Sequence, residues 1–268
     1  MKTPLLFWCA AALAVCAVFL LLSGVSLTLS RTVAGADAIL SPGSHKLLAE
    51  VVGTLTILLA LALTFAKTNA PSFVRIAGWL PVAAVIADAV LGAAAPAASN
   101  TVGFLHSLLA HLFVSAAVAV AAVLSLTPVK AHIPDKGWPS LRGYATLTCV
   151  FVIVQVTLGA AFRHDLMGVM SHIIGALLLA LFILGLAMLV LNLPAESAPE
   201  GNPLRAPAIV LMILAGVQVT LGLTIASLSS KSGGFIPMAV SHAAIGSLTL
   251  ASTVVLTILV RHHTRRIP

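Results

Sequence analysis

The chain is short of charge. Only 8% of its 268 residues are Asp, Glu, Lys or Arg, against 60% hydrophobic, and the mean hydropathy is +1.14. That composition excludes an ordinary water-soluble domain. Cysteine is scarce too. Cys9, Cys16 and Cys149 fall inside apolar runs and none belongs to a CxxC pair. A disulfide framework is therefore excluded, and the three read as small packing residues. The alternating pattern of membrane barrel strands is also missing.

What is there is eight long apolar runs, near 4–30, 46–66, 73–95, 105–127, 142–162, 166–193, 206–228 and 236–260. A helix of about 20 apolar residues spans the hydrocarbon core. Lipid offers the backbone no hydrogen-bond partners, so runs of this kind are helical. The expected fold is an all-α integral membrane protein with eight transmembrane helices. The first run follows Lys2 as a signal peptide would, but it is too long for one and reads as a retained helix.

Eight spans put both ends of the chain on one side. That side carries ten basic residues: Lys2, Lys67, Arg75, Lys130, Lys136, Arg142, Arg205, Arg261, Arg265 and Arg266. The other side carries four, Arg31, Lys46, Arg163 and Lys231. By the positive-inside rule both termini are cytoplasmic, as expected of a bacterial inner (plasma) membrane protein. The net charge of +7 is thus accounted for by topology, and no nucleic-acid partner is implied.

The runs repeat. Gln-Val-Thr-Leu-Gly occurs at Gln155 to Gly159 and again at Gln218 to Gly222, with a weaker copy, Asp-Ala-Val-Leu-Gly, at Asp88 to Gly92. Ser23-Gly24 sits in a similar context near the end of the first run. Each of the three copies is followed, after a polar break, by a histidine opening the next run: His106, His172 and His242. His45 holds the corresponding place after the first run. From His45 to Lys67, His106 to Pro128 and His172 to Pro194 the interval is 22 residues, and from His242 to His263 it is 21. Four histidines at one depth of four even-numbered helices follow. The charged connection around 129–140 divides the chain into residues 1–133 and 134–268, expected to form two pseudo-repeated four-helix bundles with one histidine pair each.

A single histidine so placed could merely cap a helix at the headgroups. Four matched ones suit axial ligation of haem iron, for which neutral imidazole in an apolar bundle is a strong ligand. Zinc fits less well, because neither pair has cysteine or carboxylate companions at ligand spacing. His111, five residues past His106, points about 140° away from it around a helix and reads as a hydrogen-bonded bundle histidine. His132, His262 and His263 read as solvated. Gln155 and Gln218 read as interhelical hydrogen-bond formers. Arg163 and His164 end the fifth run; Arg163 is either an interfacial anchor or a partner for a haem propionate.

Eight helices in two halves, a histidine opening each even helix, and Gln-Val-Thr-Leu-Gly-Ala-Ala-Phe-Arg-His before His172 resemble the haem A synthase family over nearly the whole chain. The resemblance implies oxidation of a haem O methyl to a formyl group, giving haem A for terminal oxidases. It implies a haem b cofactor between His172 and His242, and the haem substrate between His45 and His106. Haem O synthase and terminal oxidase subunits are the implied partners, besides membrane lipid. Where the family has a glutamate three residues before the first histidine and an arginine after it, this chain has Pro42 and Lys46; the first outer loop is short and lacks cysteine. Asp37 and Glu50 are the nearby carboxylates, neither at the family's spacing, and Asp37 is the candidate acid or base. A non-catalytic haem b electron-transfer or assembly subunit on the same scaffold is the alternative, and a transporter a third class, to which only Asp88 and His111 point.

Overall fold

The computed structural model describes residues 4–32, 37–65, 72–94, 99–129, 131–194, 201–228 and 234–266. These form nine helices and two short strands: α1 (Pro4–Thr32), α2 (Pro42–Phe65), α3 (Ser72–Ala77), α4 (Leu80–Ala94), α5 (Asn100–Ser125), β1 (Ile133–Asp135), α6 (Leu141–Arg163), α7 (Val169–Leu191), α8 (Arg205–Ser227), α9 (Phe235–His263) and β2 (Thr264–Arg266). Eight helical stretches of 21 to 29 residues are long and apolar enough to cross a membrane. The protein is all-α in class.

The third stretch, Val74–Ala94, is two helices rather than one. Pro81 has no N–H to donate to Ala77, and its ring crowds that carbonyl, which ends α3 and starts α4 at a kink. Gly78 and Trp79 carry the chain across the kink, with Gly78 N–H still bonded to Val74 O at 2.9 Å. Gly78 has to be small here, since a Cβ would fall 2.8 Å from Leu63 Cδ1.

α1, α2, α4 and α5 pack in a ring, each against the next, and α6, α7, α8 and α9 do the same. In the first ring α2 and α5 are therefore diagonal, as are α7 and α9 in the second. α1 presents a stripe at helical spacing, Ala10, Leu13, Ala14, Ala17, Leu21 and Val25, to Val52 and Leu59 of α2 and Val114 and Ala117 of α5. Small residues on that stripe bring backbones close, which is how helices associate where lipid removes the hydrophobic drive. α9 joins the rings: it packs on α1, α5, α6 and α8, adding Val240 to the first core and Leu250, Leu256 and Val260 to the second. By contrast α8 buries Ala208 and Leu211 while leaving Val210, Ile213 and Leu223 exposed. An apolar face of that length is at home in lipid.

The connection between the rings is not simply a loop. β1 pairs in parallel with β2, with Ile133 opposite Thr264 and Asp135 opposite Arg266. Asp135 is buried, and its two carboxylate oxygens accept from Leu141 N–H at 2.7 Å and Arg142 N–H at 3.1 Å. Ser140 Oγ accepts from Gly143 N–H, so the free donors of the first turn of α6 are largely satisfied. Asp135→Ala should cost about 1–2 kcal/mol of stability, the usual worth of such a cap. The check is the midpoint of denaturant unfolding in detergent; an unchanged midpoint would show that the cap is dispensable.

Candidate functional site

All four histidines sit on glycines. A Cβ on Gly24 would lie 3.2 Å from Cε1 of His45, on Gly92 2.9 Å from Cε1 of His106, on Gly159 2.9 Å from Cε1 of His172, and on Gly222 3.3 Å from Cε1 of His242. In each case the glycine is on the preceding membrane-spanning helix. The repeat legible in the sequence is thus a seat, with its glycine under the ring. The residue four before that glycine reaches the same ring in three of the seats: Asp88, Gln155 and Gln218. In the first seat that place is Leu20, and Ser23 does the work instead.

The ring nitrogens are held from these positions. Ser23 Oγ donates to Leu20 O at 2.8 Å, so it accepts from His45 Nδ1–H at 2.7 Å. Asp88 O, a carbonyl, can only accept, from His106 Nδ1–H at 3.1 Å. Both rings are thereby set with the Nε2 lone pair free, which is the form that ligates a metal. Asp88 Oδ1 also comes within 2.8 Å of His106 Nδ1, an ion-pair distance, although the hydrogen-bond direction is towards the carbonyl. The other two rings are held by amides. Gln155 Nε2 lies 2.9 Å from His172 Nδ1 and donates to His172 O at 2.9 Å, and Gln218 Nε2 lies 3.2 Å from His242 Nε2. Gly175 and Gly246 make room for these two amides. An amide carries both a donor and an acceptor, so it can serve either tautomer of its histidine.

Across the second ring of helices, His172 and His242 approach with ring centroids 6.1 Å apart and planes at 79°. Two imidazoles on opposite sides of one metal, each bonded at about 2 Å with a further ~1 Å to the ring centre, stand at that separation. The structure thus brings His172 and His242 together across the diagonal of the second ring. Among the described residues no group of three or more His, Cys, Asp or Glu side chains gathers, so each site offers two ligands and not a tetrahedral set. Among the described residues, several buried side-chain polar atoms left without a hydrogen bond belong to this neighbourhood: His111 Nδ1, Gln155 Oε1, Arg163 Nε, Gln218 Oε1 and His242 Nδ1. Buried polar groups are ordinarily paired, and a cluster of unpaired ones is what a polar or metal-bearing ligand would answer. His172 and His242 are the two side chains that would hold a bis-histidine haem here, His242 through the nitrogen its amide leaves free.

Arg163 does not turn toward His172. Its guanidinium crosses to α5 and donates to Ser107 Oγ at 2.6 Å, beside His106, and Ser107 Oγ is 2.8 Å from His164 Nε2. The His164 ring lies against Gly103, where a Cβ would come within 2.8 Å. Burial first, and then the Arg163 and His106 charges, push His164 down to about 4, against a smaller opposing effect of Asp165. Neutral His164 accepts from the Ser107 hydroxyl; charged His164 cannot. The unfolded chain takes up this proton near the ordinary 6.5, so stability is full above that pH and declines as pH falls toward 4. His164→Gln should flatten the decline between those limits. Parallel decline of both proteins in thermal scans would remove His164 from the acid response.

His111 is buried, as expected, but its Nδ1 has no hydrogen bond, unlike the bonded histidine read from the sequence. His262 makes an exposed hydrogen bond to Thr127 O at 2.8 Å, and His132 is exposed. Asp37 is exposed in the segment before α2 and has no partner among the described residues; Glu50 pairs with Lys46 at 4.0 Å on the surface. Ser23, Ser107 and the role of Asp88 escape sequence reasoning, since a serine in an apolar run carries no periodic signal. The glycine spacing was the one available clue. No protein-family model matches the chain, and no curated protein matches it.

Proposed function

We propose that the chain is a haem-binding membrane oxidoreductase resembling haem A synthase, which oxidises the haem O methyl to the formyl of haem A, taking the oxygen from water, releasing four protons and passing four electrons to an external one-electron acceptor. The observation that carries the reading is the approach of His172 and His242 at 6.1 Å across the ring of α6 to α9. His172 and His242 would hold haem b, and such a group supplies one-electron chemistry in an apolar site. His45 and His106 would hold the haem substrate by their free Nε2 atoms. Ser23 and Asp88 keep those two imidazoles in the required tautomer, and the seats on Gly24 and Gly92 keep them oriented. Asp88 faces Nδ1, which makes it a positioning residue; Asp37, in the segment before α2, is the candidate acid or base. The haem O synthase and terminal oxidase subunits are the proposed partners, and the two helix sets (1–133 and 134–268) the proposed substrate and cofactor halves. The proposed site of action is a bacterial inner membrane with both termini cytoplasmic.

Co-expression with a haem O source, followed by extraction of the pigments, tests this. Haem A is the expected product, lost in His106→Ala and reduced in Asp37→Asn. Haem O alone, in cells where the protein is present and inserted, contradicts catalysis. A second reading, a haem b electron-transfer or assembly subunit, is favoured by one observation: Asp37 is exposed and contacts nothing among the described residues.

A further inference from the structure

Arg163 is a cation without a counter-ion. Its Nε is buried and unpartnered, and among the described residues no carboxylate lies within ion-pair distance of its guanidinium. Asp165, two residues on, is exposed and not paired with it. The last carbonyls of α6 offset part of the charge, as for any basic residue in a final turn, but leave the Nε–H unmet. Burying a guanidinium is costly unless an anion and hydrogen bonds answer it. Around it stand Ser107, bonded at 2.6 Å, and His111, one turn further along α5 on the same face. His111 is buried with Nδ1 unpartnered, and it is close enough for the Arg163 charge to act on it. The cation's own Nε and the neighbouring His111 Nδ1 are thus both unmet at the seam of the two rings, with Ser107 next to His106.

We propose that Arg163 and His111 form an anion site, with Ser107 holding the guanidinium in place, that takes a carboxylate of the ligand held by His45 and His106. The site rests on the haem reading for its occupant, not for its existence. It gives α6 two tasks. Its outer end receives the anion of the first pair's ligand, while Gln155 and Gly159 seat His172 of the second pair. A guanidinium suits this use because its donors match the two oxygens of a carboxylate. The carboxylate could come from a haem propionate or be a free small anion in the same place.

Two titrations on protein from haem-starved cells separate these sources and test the site. The first uses chloride and acetate, with thermal unfolding as the readout. The melting temperature should rise with either salt in wild type, rise less in Ser107→Ala, and not respond in Arg163→Gln. Arg163→Lys, which keeps the charge, should retain part of the response and guards against misfolding of the glutamine variant. Equal responses in wild type and Arg163→Gln overturn the anion site. The second compares haem with haem dimethyl ester, which lacks free carboxylates. Wild type should bind haem at least about tenfold more tightly than the ester, the worth of a charge-assisted bond, and Arg163→Gln should bind both alike. Equal binding of the two by wild type overturns the propionate as occupant. If wild type binds neither, the haem reading fails, and the salt titration alone decides whether the anion site stands.

Discussion

His172→Ala and His242→Ala are each expected to lower haem affinity by more than about a hundredfold. Loss of a supporting hydrogen bond at a metal ligand typically costs 10–100-fold, and loss of the ligand itself exceeds that. The two rings approach at 6.1 Å, so removal of either would leave the haem with one histidine of the pair that would hold it. Insertion should survive. α7 and α9 run 23 and 29 residues, longer than the about 20 needed to span, and neither depends on its histidine for helix formation. The readouts are haem content per protein and the optical spectrum after purification. Unchanged content and spectrum in both variants would mean that this pair is not the ligand set.

The second large effect is expected from a residue that touches no ligand. In Gly159→Leu the new Cβ starts 2.9 Å from His172 Cε1, and the rest of the side chain takes the space of the ring. His172 has to leave its seat and the Gln155 bond with it, so haem binding should fall nearly as far as in His172→Ala. Gly159→Ala, with the Cβ alone, should give an intermediate loss of about tenfold, as for a displaced supporting contact. Gly216→Leu is the control, because that glycine faces open space on α8 and nothing would be displaced. A Gly159→Leu protein that binds haem as wild type does would show that the seat is not needed to place the ring.

The contrast between these residues and the rest explains what was legible in the sequence. The spans were, because lipid imposes a long uniform apolar signal on every crossing segment. The approach of His172 to His242 was, because an imidazole stands out in such a run, and the short connections set neighbouring helices side by side, which makes α7 and α9 diagonal. The kink at Gly78 was hidden by unbroken hydropathy across Pro81. The pairing of β1 with β2 joins segments more than a hundred residues apart, with no local pattern to announce it. Arg163 was read as an interfacial anchor or a propionate partner, and its length lets it reach Ser107 across the seam. His111 was expected to find a hydrogen bond by a general rule, and tertiary packing left its Nδ1 without one. For Arg163 and His111 the deciding packing lies between helices, where spacing along one helix gives no information.

The central claim is that the paired histidines ligate haem iron, and the absorption spectrum of the protein purified from haem-replete cells tests it most directly. A low-spin b-type spectrum with bis-histidine character is predicted, sharpening on reduction and lost in part in His172→Ala. A colourless protein, or one whose haem is high-spin and unchanged by loss of either His172 or His242, would contradict it.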